Sequence, residues 1–273
     1  GFAVGLMLAG FGGSALITGK IANALIGDVK TLPVEELAVR LPHTFLYFGL
    51  AFTGILLLLA LPFRFPAAGW RPEGWTPQGG AAATTDFATG QMVKTSAFWG
   101  LFVCYIVGCL SGLMAIGISK PVGGEIIKIA SGTAATLVGV FACFNAVGRP
   151  LFGWLTDRIT PRGAAVINLV IILVVSLMML VAGEGSTGLY IIAFIGFWLT
   201  LGGWLAIAPA ATKTFFGLKN YSQNYGVVFF AYGIGAILGP PLGARFIGAG
   251  GNASMALFLA SGIVLFGLMS FVC

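Results

Sequence analysis

Charge is scarce in this 273-residue chain: Asp, Glu, Lys and Arg make up 8% of it, against 58% hydrophobic residues. That ratio excludes a water-soluble globule with one buried core and points to an integral membrane protein. The lone histidine, His43, stands in a polar connection with no Cys, Asp or Glu at ligand spacing, so it reads as an interfacial or loop residue, not a metal ligand or catalyst. Cys104, Cys109, Cys143 and Cys273 all fall inside apolar runs, at spacings that match neither a disulfide framework nor a zinc site. They read as small core residues, and no metal or cofactor is expected.

Acids are scarcer still. Asp28, Glu35, Glu36, Glu73, Asp86, Glu125, Asp157 and Glu184 all lie outside the predicted span centres, so no proton-carrying carboxylate stands at mid-membrane. Arginine cannot replace one, because a guanidinium stays protonated at physiological pH. No combination of serine, histidine and acid, no metal cluster and no phosphate loop lies in or beside the apolar runs, so the chain is not expected to be an enzyme. The net charge of +6 does not imply nucleic acid, since no basic run is interleaved with aromatics.

Apolar runs long enough to cross the membrane as helices recur near 1–26, 44–63, 95–117, 132–155, 163–182, 188–210, 225–247 and 252–273. Eight spans are therefore expected. The runs are too long for barrel strands, and 42 glycines suit closely packed membrane helices, so the fold class is an all-α membrane protein. Gly1 opens inside an apolar run with no initiator methionine, which predicts a piece of a longer protein. Residues 64–94, with Trp70, Pro72, Gly74, Trp75, Pro77 and a Gly/Ala/Thr tract, read as a linker. It separates two spans (1–63) from six (95–273). The first and seventh spans align at a constant offset: Gly5 on Gly226, Phe11 on Tyr232, Gly12 on Gly233 and Ala15 on Ala236. Parallel repeats of this kind build many transporters, with substrate held between the halves. Basic residues other than Arg149 split almost evenly between the two sides, so orientation is taken from the loop after Arg149, placed in the cytoplasm.

The segment NAVGRPLFGWLTDRITPR, from Asn145 to Arg162, carries the functional reading. A cation inside a membrane helix costs at least about 2.5–3.5 kcal/mol, so it is retained where it meets a cavity and an anion. Asn145 and Arg149 are one helical turn apart on one face. Guanidinium and amide together suit a carboxylate, through two parallel charge-assisted bonds and one more donor. Pro150 loosens the helix beside the arginine. The other reading is that Arg149 snorkels to the interface or pairs within the protein. Phe197, Leu201 and Trp204 share a face of the sixth span, as Tyr225, Phe229 and Tyr232 do of the seventh. Such a stripe serves as core or as the apolar wall of a substrate cavity.

Gly153, Asp157, Arg158 and Arg162 lie in GWLTDRITPR, which resembles the loop signature G-x-L-x-D-R-x-x-R of the major facilitator superfamily. The resemblance implies a twelve-helix carrier with the present spans as its fifth to twelfth helices, and these four residues as a cytoplasmic gating motif. FFGLKNYSQNYGVVFFAYGIGAILGP, from Phe215, resembles the oxalate/formate antiporter family, supported by SGLMAIGIS from Ser111 and FNAVGRPLFG from Phe144. The related monocarboxylate transporters anchor the carboxylate with an arginine followed by proline, a pattern that falls on Arg149-Pro150. They often carry an acid where Asn145 stands and a tyrosine where Leu201 stands. The oxalate-exchanging branch has a lysine at the position of Tyr232.

The resemblance thus implies a secondary transporter of small carboxylates in the plasma (inner) membrane, working by alternating access as an exchanger. One anchoring cation favours a monocarboxylate such as lactate, pyruvate or formate over oxalate. The expected substrate-binding residues are Arg149, Asn145, Tyr232, Trp204 and Leu201. Lys20 and Lys120 are further cations for the outer mouth or the interface. The expected partners are a small organic anion and the lipid bilayer, with no nucleic acid, and the carrier is expected to be monomeric. The rival readings are a carrier of a drug, sugar or amino acid with Arg149 structural, and a non-transporting sensor of the same fold.

Overall fold

The computed structural model describes residues 1–27, 32–64, 70 and 86–248. The expected eighth span at 252–273 and most of the linker lie outside the described residues. The described segments are helical: α1 (Phe2–Ile26), α2 (Val34–Ala60), the short α3 (Thr89–Met92), α4 (Ser96–Pro121), α5 (Ser131–Ile159), α6 (Pro161–Leu180), α7 (Thr187–Phe216) and α8 (Tyr221–Gly248). A π-helical turn, Val122–Ile126, extends α4. Among the described residues six helices are long and apolar enough to cross a membrane: α2, α4 with its extension, α5, α6, α7 and α8. In α1 the apolar stretches are shorter, Phe2–Phe11 and Ile17–Ile26.

The chain falls into two compact units. One, Ala15–Gly80, holds α2, which starts ten residues before the expected span because Pro33 opens the helix and Glu35 and Glu36 occupy its positive first turn. His43 is accordingly a helix residue, with Nδ1 2.7 Å from the Val39 carbonyl oxygen one turn back.

The other unit joins Gly1–Ser14 to everything from Ala81 onward. Within it α7 packs on α4, α5 and α6, and α8 lies along α4. Small residues set these approaches. Gly148 on α5 and Gly202 on α7 each face a backbone carbonyl of the other helix, Leu199 and Asn145, with no room for a Cβ. Gly108 and Gly112 on α4 receive Trp204 and Leu201. The α5–α6 turn is tighter than expected: Asp157 and Arg158 belong to the last turn of α5, and Thr160 alone separates the helices. Pro161 starts α6 at its first position, and the Thr160 hydroxyl accepts the Gly163 N–H at 3.2 Å.

The end of the expected linker is clasped to the α7–α8 junction. Phe87 N–H donates to the Phe216 carbonyl at 3.0 Å, and Asp86 Oδ1 accepts from the N–H groups of Leu218 at 2.9 Å and Lys219 at 3.1 Å. Asn220 and Asn224 both donate to the Phe87 carbonyl at 3.0 Å, and the Thr89 hydroxyl donates to Asn224 Oδ1 at 2.8 Å. Gly217 is required at the junction, because its φ of +83° is left-handed and a Cβ there would strike Asp86.

Candidate functional site

Asn145 and Arg149 are buried on α5, at 5% and 2% exposure. Asn145 ties the arginine to α7: its Oδ1 accepts from Arg149 Nη2 at 3.1 Å, and its Nδ2 donates to the Trp198 carbonyl at 3.0 Å. On the other side Arg149 Nη1 donates to the Leu8 carbonyl of α1, and the guanidinium carbon sits 4.8 Å from the Phe11 ring centroid. Every one of these partners is neutral. Among the described residues no acid lies within ion-pair distance of Arg149, and its Nε makes no hydrogen bond. Among the described residues the site therefore holds a buried positive charge with no acidic partner and one unused donor, an environment suited to an incoming anion. Leu8 and Phe11 were not among the residues expected here. The offset that lays Phe11 on Tyr232 was the signal that could have found them.

The expected aromatic wall divides. Trp204 is fully buried and stacks on Tyr105 of α4 at 5.8 Å, and Leu201 fills the space left by Gly112, so both are seam residues between α4 and α7. Tyr232 is partly exposed and stacks on Phe229 at 5.2 Å. Tyr105, itself fully buried, joins this group through Phe229 at 6.4 Å. Sequence reasoning missed it, although it is a hydroxyl-bearing aromatic in the middle of an apolar span.

The four residues of the loop signature sit at one end of the bundle. Gly153 has no room for a side chain against the start of α1, and half-exposed Asp157 accepts the Phe2 N–H at 2.8 Å. Arg158 lies over the Trp154 ring at 5.6 Å and Arg162 over the Phe215 ring at 5.5 Å. Among the described residues neither arginine forms an ion pair with Asp157. No cluster of His, Cys, Asp or Glu suited to a metal occurs among the described residues. Lys120 is exposed at the end of α4.

No protein-family model matches the chain. It is 29% identical over 185 residues to an uncharacterized MFS-type transporter, YhjX, of Escherichia coli (strain K12), covering 67% of this chain and 46% of that protein. It is 26% identical over 277 residues to the oxalate:formate antiporter of Oxalobacter formigenes, covering 100% of this chain and 62% of the relative. Against monocarboxylate transporter 12-B of Danio rerio the identity is 29% over 137 residues, 46% of this chain and 27% of that one. The chain thus spans less than two thirds of each relative's length. Its fold matches the E. coli fucose:proton symporter FucP with a TM-score of 0.66 at 16% sequence identity, over 95% of this chain and 65% of that structure. These proteins are transporters, not enzymes. With apolar helices of membrane-crossing length, that fold and those relatives, the chain is a multi-pass integral membrane protein that is similar to major facilitator superfamily transporters, an oxalate:formate antiporter and a monocarboxylate transporter among them.

Proposed function

We propose that this chain belongs to a secondary transporter that exchanges small carboxylate anions, preferring monocarboxylates such as lactate, pyruvate or formate, by alternating access. The observation that carries the proposal is the Arg149 charge, buried without an acidic partner among the described residues. A carboxylate arriving there forms charge-assisted bonds with the guanidinium, and Asn145, held by the Trp198 carbonyl, fixes the plane it presents. The bound anion neutralises the cavity before it closes, so the loaded carrier reorients more readily than the empty one. Exchange is therefore favoured over net flux. A single cation matches a single carboxylate, which sets monocarboxylates ahead of oxalate. Tyr232 is assigned to the wall that limits substrate size, with Trp204 and Leu201 backing it from the α4–α7 seam, and Gly153, Asp157, Arg158 and Arg162 to the cytoplasmic gate.

The test is counterflow of labelled lactate, pyruvate, formate and oxalate in proteoliposomes of the full-length protein. Saturable exchange of a monocarboxylate is expected, with equal rates of counterflow and net efflux counting against the exchange mechanism. The neutral hydrogen bonds already made by Arg149 favour a second reading, a carrier of an uncharged solute with Arg149 structural. Unchanged substrate affinity in Arg149→Ala is its signature.

A further inference from the structure

A concavity lies at the end of the bundle that carries the loop signature, walled by α4, α6 and α7. Gly100, Leu101 and Cys104 form one side, Ala165 and Val166 another, and Ile207, Ala211 and Phe215 the third, with Trp204 also on its lining. The lining is apolar except at Arg162, which is exposed and lies over Phe215. Such walls cannot solvate a small carboxylate, so the crevice is no extension of the Arg149 site. An apolar slot with a cation at its edge matches an amphiphile with an anionic head and a hydrocarbon tail.

The surroundings select the head group. Lys94, Arg158, Arg162, Lys213 and Lys219 lie at this end of the unit, against Asp86 and Asp157 as the described acids. Asp86 is occupied by the N–H groups of Leu218 and Lys219, and Asp157 accepts from Phe2. None of these five cations forms an ion pair among the described residues. Trp99 and Trp154 are both exposed at the same end, 56% and 46%, where amphipathic indoles mark the head-group level of a bilayer. Basic pockets between membrane helices are suited to anionic lipid heads, which a guanidinium grips through paired hydrogen bonds to phosphate.

We propose that this crevice binds an anionic phospholipid, one acyl chain lying between α4, α6 and α7 and the phosphate held by Arg162. The tail then rests against Trp204, which also contacts Gly108 and Tyr105 in the α4–α7 seam. This places a lipid against a residue of the α4–α7 seam that backs the proposed transport site.

The experiment is lipid retention by native mass spectrometry of the full-length protein, delipidated and then titrated with phosphatidylglycerol, phosphatidylcholine or oleate of matched chain length. Wild type is expected to retain phosphatidylglycerol about five-fold better than phosphatidylcholine, the preference one basic residue contributes near an anionic surface. Arg162→Gln should remove that preference while keeping phosphatidylcholine retention. Ala165→Phe, which fills the slot, should lower retention of both lipids, and Val166→Trp at an exposed position repeats the filling should the first variant fail to fold. Equal retention of the two phospholipids by wild type overturns the proposal, as does a preference untouched by Arg162→Gln and by the filling that folds. Oleate retained as well as phosphatidylglycerol overturns the phospholipid assignment in favour of a fatty acid.

Discussion

Two polar clusters in this unit are built from similar parts and end in opposite states. At the α7–α8 junction Asp86, Thr89, Asn220 and Asn224 are matched to backbone and side-chain partners. At the middle of α5 the Arg149 guanidinium meets, among the described residues, only neutral acceptors and leaves Nε unused. A saturated cluster has its free energy invested in the fold, because every group it desolvates is repaid locally. An unsaturated buried cation is retained at a cost in stability, and that cost is recovered only when a counter-charge arrives. The first cluster is thus read as structure and the second as a binding site.

The sharpest break of this contrast is Arg149→Met. Truncating a buried charged partner removes about 2–5 kcal/mol of binding, so carboxylate exchange should fall by at least about thirty-fold. Yet the variant should melt with little loss, since a desolvated charge goes with the lost hydrogen bonds. Counterflow and a thermal melt of the same preparation measure both. A collapse of the fold with transport activity lost only in proportion would reverse the assignment of the two clusters.

Asn224→Ala should behave in the opposite way. Asn224 is fully buried, and its loss leaves the Thr89 hydroxyl without its acceptor and weakens the hold on the Phe87 carbonyl. A penalty of about 1–3 kcal/mol in stability is expected, with substrate affinity in the folded fraction unchanged. An altered affinity at unchanged melting temperature would make the clasp part of the transport cycle.

Asn145→Ala falls between them. The residue holds Arg149 with one atom and α7 with another, so it positions the cation and does not supply charge. Affinity for a monocarboxylate should drop by about ten-fold, the worth of one hydrogen bond to a charged group. Asn145→Asp places a carboxylate beside the guanidinium and should weaken anion binding further while raising the melting temperature. If Asn145→Asp binds substrate as wild type does, Arg149 is not waiting for an anion.

Much of this was legible in the sequence, for a physical reason. Runs that must satisfy every backbone group within a bilayer have to be helices, so length and apolarity set α4 to α8 within a few residues. Arg149 and Asn145 stood out because a cation and an amide on one helix face are expensive there. What was not legible depends on contacts between distant residues. Leu8 and Phe11 lie roughly 140 residues from Arg149 in sequence, and no local pattern places them on it. The clasp was missed because Asp86 and Asn224 are ordinary loop and helix-start residues until Gly217 turns the chain beneath them. Leu201 and Trp204 were read from helical spacing, which gives a shared face but not the helix it meets; Gly108 and Gly112 draw them into a seam with α4.

The finest test of the contrast is at Tyr232, where charge is missing and not merely unmatched. Its ring stacks on Phe229, so Tyr232→Phe keeps the packing and removes only the hydroxyl, an effect of about 1 kcal/mol or less on affinity. Tyr232→Lys adds the second cation that the resemblance to the oxalate-exchanging branch implies at this position. If the single charge on Arg149 is what selects a monocarboxylate, this substitution should raise competition by oxalate against labelled lactate and lower that by formate relative to oxalate. Since Lys carries a flexible stem, its ammonium can pair with a second carboxylate without displacing the first from the guanidinium. An unchanged ratio of oxalate to lactate would mean that charge count does not set selectivity, and the wall residues of α7 and α8 would take that role.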